Sequence, residues 1–395
     1  MAAMTTDAID HIETHIVTIK RDTPYLGPLG PGEAVNERGY FVRATNRTIY
    51  PTEDRSVLVK VVTRDGAVGW GETYGLTAPE VIGALIDDLI LPLLRGRDPF
   101  DAGAIWEDLY DILRVRGYGG GFYLDAVAAV DIALWDICGK LAGRPVRKLL
   151  GGERRSEIPA YVSGLPRATL AERVDLAAAF VARGFEAIKF AAAVSHQGIE
   201  MELAALRDAL GPDVKLMIDF HWMFGRGEAA ALIRRLEPYG LHFAEAPVKP
   251  EDIEGLAHVA RAVSVPVAGG EEWRSVYDAQ PRLATGALSI VQPEMGHTGI
   301  TQFMRIAQLA GAQHVATIPH ATIGVGIFQA ASLQASAAIL DLPMHEYQHS
   351  IMDRNAALLD GTLRCEAGAY ALPQGPGLGV EPAAALWRHA RKIQG

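Results

Sequence analysis

Short apolar runs that end in a polar residue recur along the second half of the chain, separated by amphipathic segments. The residues that end the runs are Asp219, Glu245, Glu271, Glu294, His320 and Glu346. The first three are 26 residues apart (245 − 219 and 271 − 245). Between the runs, apolar residues recur at three and four positions, as in LAERVDLAAAFVARG, so each period holds one strand and one helix. This pattern predicts an α/β fold, a (β/α)7β TIM-like barrel over residues 153–360, with its active site at the carboxyl ends of the strands.

The chain before the barrel has a different pattern. The run VLVKVV, a turn at Arg64–Asp65–Gly66 and the run AVGWGE predict a β-hairpin, and helical periodicity follows in YLDAVAAVDIALWDICGKLAG. We therefore predict an α+β capping domain over residues 1–152, with lid loops rich in Gly and Pro at about 23–50. Residues 361–395 return to a strand-like, turn-rich composition and are predicted to pack back on the cap.

Charge, apolar content and cysteine positions limit the partners and the environment that the sequence predicts. The formal net charge is −10 and there is no long basic run, which argues against a nucleic-acid partner. The first residues lack a basic stretch and an apolar core, and the apolar helix AVAAVDIALWDICGK contains Asp131 and Asp136, so no signal peptide and no membrane span are predicted. Cys138 and Cys365 lie far apart in sequence, which fits a reducing cytoplasm. We expect a homo-oligomer, because such assemblies are common.

Three carboxylates at the ends of adjacent strands form a candidate metal site. Asp219, Glu245 and Glu271 would make a small cage of oxygen atoms, which suits Mg²⁺ better than Zn²⁺ because no His or Cys shares their spacing. The alternative is that these acids cap helices or pair with arginines. Their common register favours the metal site, with one Mg²⁺ per subunit.

Two histidines are candidates for proton transfer. His221 follows Asp219 by two positions, so both side chains are predicted to face the barrel mouth while Phe220 packs outward. Glu294 and His320 end neighbouring strands, where the carboxylate can bond one imidazole nitrogen and raise the basicity of the other. The alternatives are an ordinary loop histidine and a surface ion pair.

Several motifs occur together in a specific order. They are VGWGE, AAVDIALWDICGKLAGRPVRKLLGG, IDF, AEAP, GGEEW, VQPEMGHTGIT, the PH that ends strand seven, and PGLGVE. With these motifs the chain resembles the enolase superfamily, mandelate racemase subgroup, over nearly all of residues 55–380.

The resemblance implies Mg²⁺ bound by the three carboxylates and removal of a proton α to a substrate carboxylate. It also implies that His320, oriented by Glu294, is the base and that Glu346 hydrogen-bonds the substrate carboxylate. The racemase pattern of two lysines on the second strand is incomplete here, because the sequence is Lys189–Phe190–Ala191. The Asp-x-His pattern at His221 is instead similar to galactonate and mannonate dehydratases.

The predicted activity is therefore Mg²⁺-dependent dehydration of an acid sugar to a 2-keto-3-deoxy acid, in which His221 helps the 3-hydroxyl leave. The alternatives are an epimerase, racemase or cycloisomerase that uses the same enediolate, and a non-catalytic barrel. Lys189 is predicted either to stabilise the negative charge of the substrate carboxylate or enediolate, or to pair with the metal-site acids.

The remaining substrate-binding candidates are His297 and Trp273, which lie at the mouth, and Arg43 and Arg47 in the lid region. An arginine pair engaged in the cavity would favour a diacid aldarate, since arginine binds carboxylates bidentately. A solvated pair would leave an aldonate, which we favour.

Overall fold

The structure is a computed structural model that describes residues 7–393. The cap begins with five strands, which are β1 (Ile9–Ile19), β2 (Tyr40–Val42), β3 (Ile49–Pro51), β4 (Asp54–Thr63) and β5 (Val68–Tyr74). The strands β1, β4 and β5 pair in that order, whereas β2 and β3 form a separate small hairpin inside the predicted lid. The apolar alternation of VLVKVV and the turn after it account for the β4–β5 hairpin.

The cap helices cover one face of this sheet. They are α1 (Glu80–Leu85), a π-helical turn (Ile86–Ile90), α2 (Leu91–Leu94), α3 (Ala102–Arg114), α4 (Gly121–Leu141) and α5 (Val146–Leu149). The long α4 lies directly against β5, because Gly69 and Gly71 have no side chain there. A Cβ atom at either glycine would collide with the carbonyl oxygens of Ala133 and Ala129. The close contact fixes the end of β5, which points toward the barrel.

Eight strands form the predicted barrel. They are β6 (Glu157–Ser163), β7 (Ala187–Ala191), β8 (Lys215–Asp219), β9 (Leu241–Glu245), β10 (Val267–Gly269), β11 (Ile290–Val291), β12 (Ala316–Thr317) and β13 (His345–Tyr347). Neighbours from β6 to β12 pair in parallel in sequence order, and β13 pairs in parallel with β6. The barrel prediction is therefore confirmed.

Helices alternate with these strands and surround them. They are α6 (Leu170–Ala182), α7 (Ile199–Leu210), α8 (Arg226–Leu236), α9 (Ile253–Ala262), α10 (Val276–Leu283), α11 (Met295–Gly311), α12 (Ile327–Ala338) and α13 (His349–Asn355). Strand residues divide by parity: Met217 packs in the barrel interior, whereas Leu216 and Ile218 pack against the helices. Asp219 shares the parity of Met217, so the barrel pattern directs its carboxylate inward.

The C-terminal segment belongs to both domains. Its strands are β14 (Leu359–Gly361), β15 (Cys365–Glu366), β16 (Ala369–Ala371), β17 (Val380–Pro382) and β18 (Ala390–Lys392). In this segment β16 extends the barrel sheet antiparallel to β6, whereas β18 pairs with β1 of the cap and the Leu378 backbone N–H donates to Asp136 on α4 of the cap. Short 3-10 helices occur at Pro99–Asp101, Ala192–Val194, Glu237–Tyr239, Ala356–Leu358 and Leu386–Arg388. Among residues 7–393, no helix has both the length and the apolar character needed to cross a membrane.

Candidate active site

A cavity of about 240 Å³ lies at the carboxyl ends of the barrel strands, beneath the cap. Its volume lies just below the usual range of ligand pockets, which is roughly 300–1,000 Å³. The barrel lines it with Lys189, Asp219, His221, Glu271, His320 and Glu346, and the cap with Tyr25, Leu26, Thr48, Tyr50, Tyr74 and Leu76. The lid segment therefore contributes directly to the wall, and the space suits a small polar molecule.

Three side chains with metal-binding atoms lie close together at the carboxyl ends of the barrel strands. Ligand atoms of Glu245, Glu271 and His320 lie within 4.8 Å of one another. Glu271 Oε2 is buried and has no hydrogen-bond partner among the described residues. Burial raises the pKa of the Glu271 carboxyl well above its usual value, and Asp219 and Glu245 raise it further, against the opposing effect of His320. A hard cation with oxygen ligands would relieve this arrangement, so Glu245 and Glu271 fit Mg²⁺. Asp219, the third predicted ligand, is not part of this group, in which His320 takes its place.

Asp219 and His221 are held together at the end of the third barrel strand. One Asp219 oxygen accepts the His221 backbone N–H at 2.8 Å, and the other lies 3.0 Å from His221 Nδ1. His221 has a positive φ of 48°, a conformation that turns the chain sharply after the strand. Each carboxylate oxygen keeps a further lone pair for a metal. The imidazole is thereby anchored through Nδ1, which leaves Nε2 for a ligand.

Lys189 lies between two acids on the floor of the cavity. Its Nζ lies 2.7 and 2.8 Å from the two Glu245 oxygens and 3.2 Å from Glu346 Oε1. Burial alone would lower the pKa of the Lys189 ammonium, but Glu245 and Glu346 raise it well above its usual value. Lys189 is therefore placed as a cation rather than as a free base.

His320 is oriented by a chain of three side chains. Its Nδ1 lies 2.8 Å from Glu294 Oε2, and the same oxygen accepts the Tyr74 hydroxyl at 2.8 Å. Burial alone would lower the pKa of the His320 imidazole, but Glu271, Glu346 and Glu294 raise it well above its usual value. His320 Nε2 points toward Glu271 and Glu346, at 3.5 and 3.7 Å. A strong proton acceptor is therefore positioned beside the carboxylate cluster.

Glu346 on β13 faces the same space. Burial would raise the pKa of its carboxyl, but Lys189 and His320 lower that pKa to about 2. One oxygen accepts the Ala321 backbone N–H at 2.7 Å, which ties the loop after His320 to the floor. Ionised Glu346 is an acceptor only.

Three of the substrate-binding residues predicted from the sequence, Arg43, Arg47 and Trp273, do not line this cavity, contrary to the prediction. Arg43 is 1% exposed, and its guanidinium donates to Glu33 and to the carbonyl oxygens of residues 25, 27 and 28. It folds the lid onto itself, so it is neither solvated nor directed at a ligand. Arg47 is exposed in a turn. Trp273 is 2% exposed and packs in the core beneath the strand ends.

His297 does line the cavity, in a cluster that the sequence did not reveal. Its Nδ1 lies 2.8 Å from Asp125, a buried acid on α4 of the cap.

Sequence analysis also missed Tyr74 as a cavity residue, although it follows the end of the VGWGE motif by two positions and so shares the strand face of Glu72. That buried glutamate accepts the backbone N–H groups of Val325 and Phe328 at 2.5 and 3.0 Å, which fastens the loop after His320 to the cap. Acids inside apolar segments were the available signal for both Asp125 and Glu72.

Comparisons with known proteins agree with this geometry. The model for the mandelate racemase / muconate lactonizing enzyme N-terminal domain matches residues 43–151, and the enolase C-terminal domain-like model matches residues 172–386. D-galactarolactone cycloisomerase of Agrobacterium fabrum is 34% identical, covering 94% of this chain and 96% of its own length. D-galactonate dehydratase of Xanthomonas euvesicatoria is 33% identical, covering 86% and 92%.

Solved structures are similar as well. A member of the enolase superfamily from Agrobacterium tumefaciens is 51% identical with a TM-score of 0.96, covering 98% of this chain and all of that chain. A racemase from Streptomyces coelicolor with bound magnesium is 26% identical with a TM-score of 0.83, covering 97% of this chain and 100% of that chain. Together with the carboxylate cluster, these relatives assign Mg²⁺ as the cofactor. The chain belongs to the enolase superfamily, in its mandelate racemase subgroup.

Proposed function

We propose that this enzyme dehydrates an acid sugar to a 2-keto-3-deoxy acid. The observation that carries the proposal is the presence of two differently held imidazoles in one cavity. His320 is bonded to a buried carboxylate and stands beside the metal-site acids, whereas His221 is bonded to Asp219 on the third strand. One imidazole suits removal of a proton and the other suits its delivery.

The proposed reaction starts at C2. His320 Nε2 takes the C2 proton, and the electrons of that C–H bond form an enediolate. Mg²⁺, when bound by Asp219, Glu245 and Glu271, supplies the positive charge that stabilises this added negative charge. The protonated Lys189, held by Glu245 and Glu346, places a second positive charge in the same region.

The reaction continues at C3. The enediolate electrons form the C2–C3 double bond as the C3–O bond breaks, and His221 donates a proton from Nε2 to the departing oxygen. Water and an enol result, and the enol tautomerises to the 2-keto-3-deoxy acid. Exchange with solvent returns His320 and His221 to their starting protonation states.

The second barrel strand lacks the second lysine of the racemase pattern, and this supports elimination over racemisation. Racemisation needs a proton acceptor on each face of C2, and on the second barrel strand the position two residues after Lys189 is Ala191. Ala191 packs with Leu26, Phe41 and Tyr50 of the lid, so its space is filled by apolar and aromatic groups. Lys189 is tied to two acids. We therefore propose little or no racemase activity.

Cycloisomerisation is the second candidate. It is favoured by the 34% identity, over 94% of this chain, to a D-galactarolactone cycloisomerase. His320 and His221 could serve this reaction unchanged if the oxygen that receives the proton remained part of the same molecule. The two reactions then differ in the substrate that the cavity accepts.

One screen tests both candidates. The purified enzyme with Mg²⁺ would be offered a stereochemically complete set of aldonates, aldarates and their lactones, with products measured by mass spectrometry and 2-keto acid detection. Dehydration lowers the product mass by one water and yields a 2-keto acid. An isomeric 2-keto acid of unchanged mass formed from a lactone would establish the second candidate. Deuterium exchange at C2 without either product would overturn both in favour of an epimerase.

A further inference from the structure

One polar cluster at the cavity takes no part in the proposed proton transfers. It consists of Asp125 on α4 of the cap, Arg274 in the segment after β10 and His297 on α11. Arg274 and His297 line the cavity, and Asp125 lies behind them with a side chain that is 7% exposed. The cluster therefore joins the cap to the barrel at the edge of the substrate space.

Asp125 holds Arg274 and His297 in fixed positions. Its Oδ1 accepts from Arg274 Nε at 2.9 Å and lies 2.8 Å from His297 Nδ1, and its Oδ2 accepts from Arg274 Nη2 at 3.2 Å. Burial alone would raise the pKa of the Asp125 carboxyl, but His297 and Arg274 hold that pKa below its usual value. Asp125 is thus an ionised acceptor.

The cluster presents one acceptor and spare donors to the cavity. Because Asp125 only accepts, His297 Nδ1 carries a proton, and the neutral ring then offers Nε2 as an acceptor. The ring is further fixed against Tyr74, with centroids 4.6 Å apart. Arg274 Nη1 donates to the Glu272 carbonyl at 3.0 Å, and since each Nη carries two protons, further donors remain. A donor next to an acceptor is the arrangement that recognises a hydroxyl group.

The charge balance of the cluster argues against binding of a second substrate carboxylate there. Asp125 offsets the charge of Arg274, and Lys189 is already shared by Glu245 and Glu346. Arg43 does not line the cavity. Within residues 7–393, the cavity wall therefore offers no uncompensated arginine or lysine to a carboxylate remote from the metal site.

We infer that Arg274 and His297, fixed by Asp125, form a subsite that binds a hydroxyl at the uncharged end of an aldonate. The inference rests on the proposed function and narrows its substrate to a monoacid. Asp125 is a positioning residue, whereas Arg274 and His297 contact the substrate.

The first test varies the length of the substrate. His297→Phe keeps an aromatic ring against Tyr74 and removes Nε2. We expect kcat/KM for a six-carbon aldonate to fall roughly 10-fold, as for loss of one hydrogen bond to a polar group. The comparison is the matching four-carbon aldonate, which lacks the last two hydroxyl-bearing carbons, and we expect the ratio of kcat/KM for the six-carbon substrate to that for the four-carbon substrate to fall in the variant.

The second test varies the charge of the subsite. Asp125→Asn leaves the Arg274 guanidinium uncompensated, so the ratio of kcat/KM for a six-carbon aldarate to that for the matching aldonate should rise roughly 10-fold. Asp131→Asn is the matched control, because Asp131 lies on the same helix and ties it to Thr301 on α11 away from the cavity. The control should leave the ratio unchanged.

The outcomes separate the subsite from the proposed function. If the wild type turns over aldonates but His297→Phe reduces kcat/KM equally for the long and short substrates, the subsite is wrong and the function stands. An unchanged ratio in folded Asp125→Asn would also overturn the subsite. If the wild type turns over neither aldonates nor aldarates, the proposed function fails and the subsite fails with it.

Discussion

Glu271 on the barrel side of the cavity and Arg43 in the cap are both ionisable and largely buried, but their surroundings are opposite. Glu271 Oε2 has no hydrogen-bond partner among the described residues and lies close to other acids. Arg43 donates from Nη1 and Nη2 to four acceptors within the lid. The barrel therefore leaves groups open for a metal and a substrate, whereas the cap uses its polar groups to shape the space above them.

The difference has a physical basis. A buried charge without partners costs stability, so it is kept only where a ligand completes it. A charge satisfied within the protein fixes a loop but has little left to offer a ligand. Changes on the barrel side should therefore abolish chemistry, and changes on the cap side should alter orientation or affinity.

The largest effect is expected for Glu245→Gln. This side chain belongs to the carboxylate cluster and also binds Lys189 and Gln292. We expect turnover to fall by at least roughly 100-fold, the size of the losses seen even for residues that only support metal ligands. Calorimetric titration should show weakened Mg²⁺ binding, and circular dichroism should show a retained fold. Exposed Glu251→Gln is the control, and full wild-type activity in excess chelator would contradict the account.

A smaller effect is expected for Tyr74→Phe. It removes the hydroxyl that donates to Glu294, so the carboxylate that orients His320 loses a partner. A hydrogen bond to a charged group contributes about 1.5–3 kcal/mol, which corresponds to a loss in kcat of roughly 10-fold or more with KM nearly unchanged. Tyr123→Phe is the control, because Tyr123 is a buried cap tyrosine bonded to the Leu109 carbonyl. Equal kinetics for the two variants would show that the cap does not act through Glu294.

The smallest effect on chemistry is expected for Arg43→Ala. Loss of the guanidinium leaves Glu33 unpaired and loosens the lid, so KM should rise several-fold while kcat changes little. Arg47→Ala, at an exposed turn, should behave as the wild type. A loss in Arg43→Ala confined to aldarates would mean that this arginine reaches a substrate carboxylate after all.

The barrel side was predictable from sequence because its residues follow regular strands. A constant period and the two-residue parity of a strand place Asp219, Glu245 and Glu346 at one end of the barrel without knowledge of any contact. Lys189 was located by the same parity, although its partners were left open. Glu294 and His320 were expected to meet, and they lie 2.8 Å apart.

The cap side was less predictable because its contacts depend on irregular backbone. The partners of Arg43 are mainly carbonyl groups of a loop, which carry no sequence signal. Trp273 was misplaced because parity ends with the strand at Gly269, and the turn that follows directs its indole into the core. Asp125 could be recognised as a buried acid in an apolar helix, but its pairing with Arg274 and His297 joins positions about 150 and 172 residues apart.

Separation of the two histidine roles tests the central claim most directly. The wild type, His320→Asn and His221→Asn would be incubated with Mg²⁺ and an accepted aldonate in D₂O, with C2 deuterium and 2-keto acid measured in the same samples. The account predicts that His320→Asn abolishes both signals and that His221→Asn abolishes the 2-keto acid while C2 exchange continues. Exchange at the wild-type rate in His320→Asn, or full dehydration in His221→Asn, would contradict it.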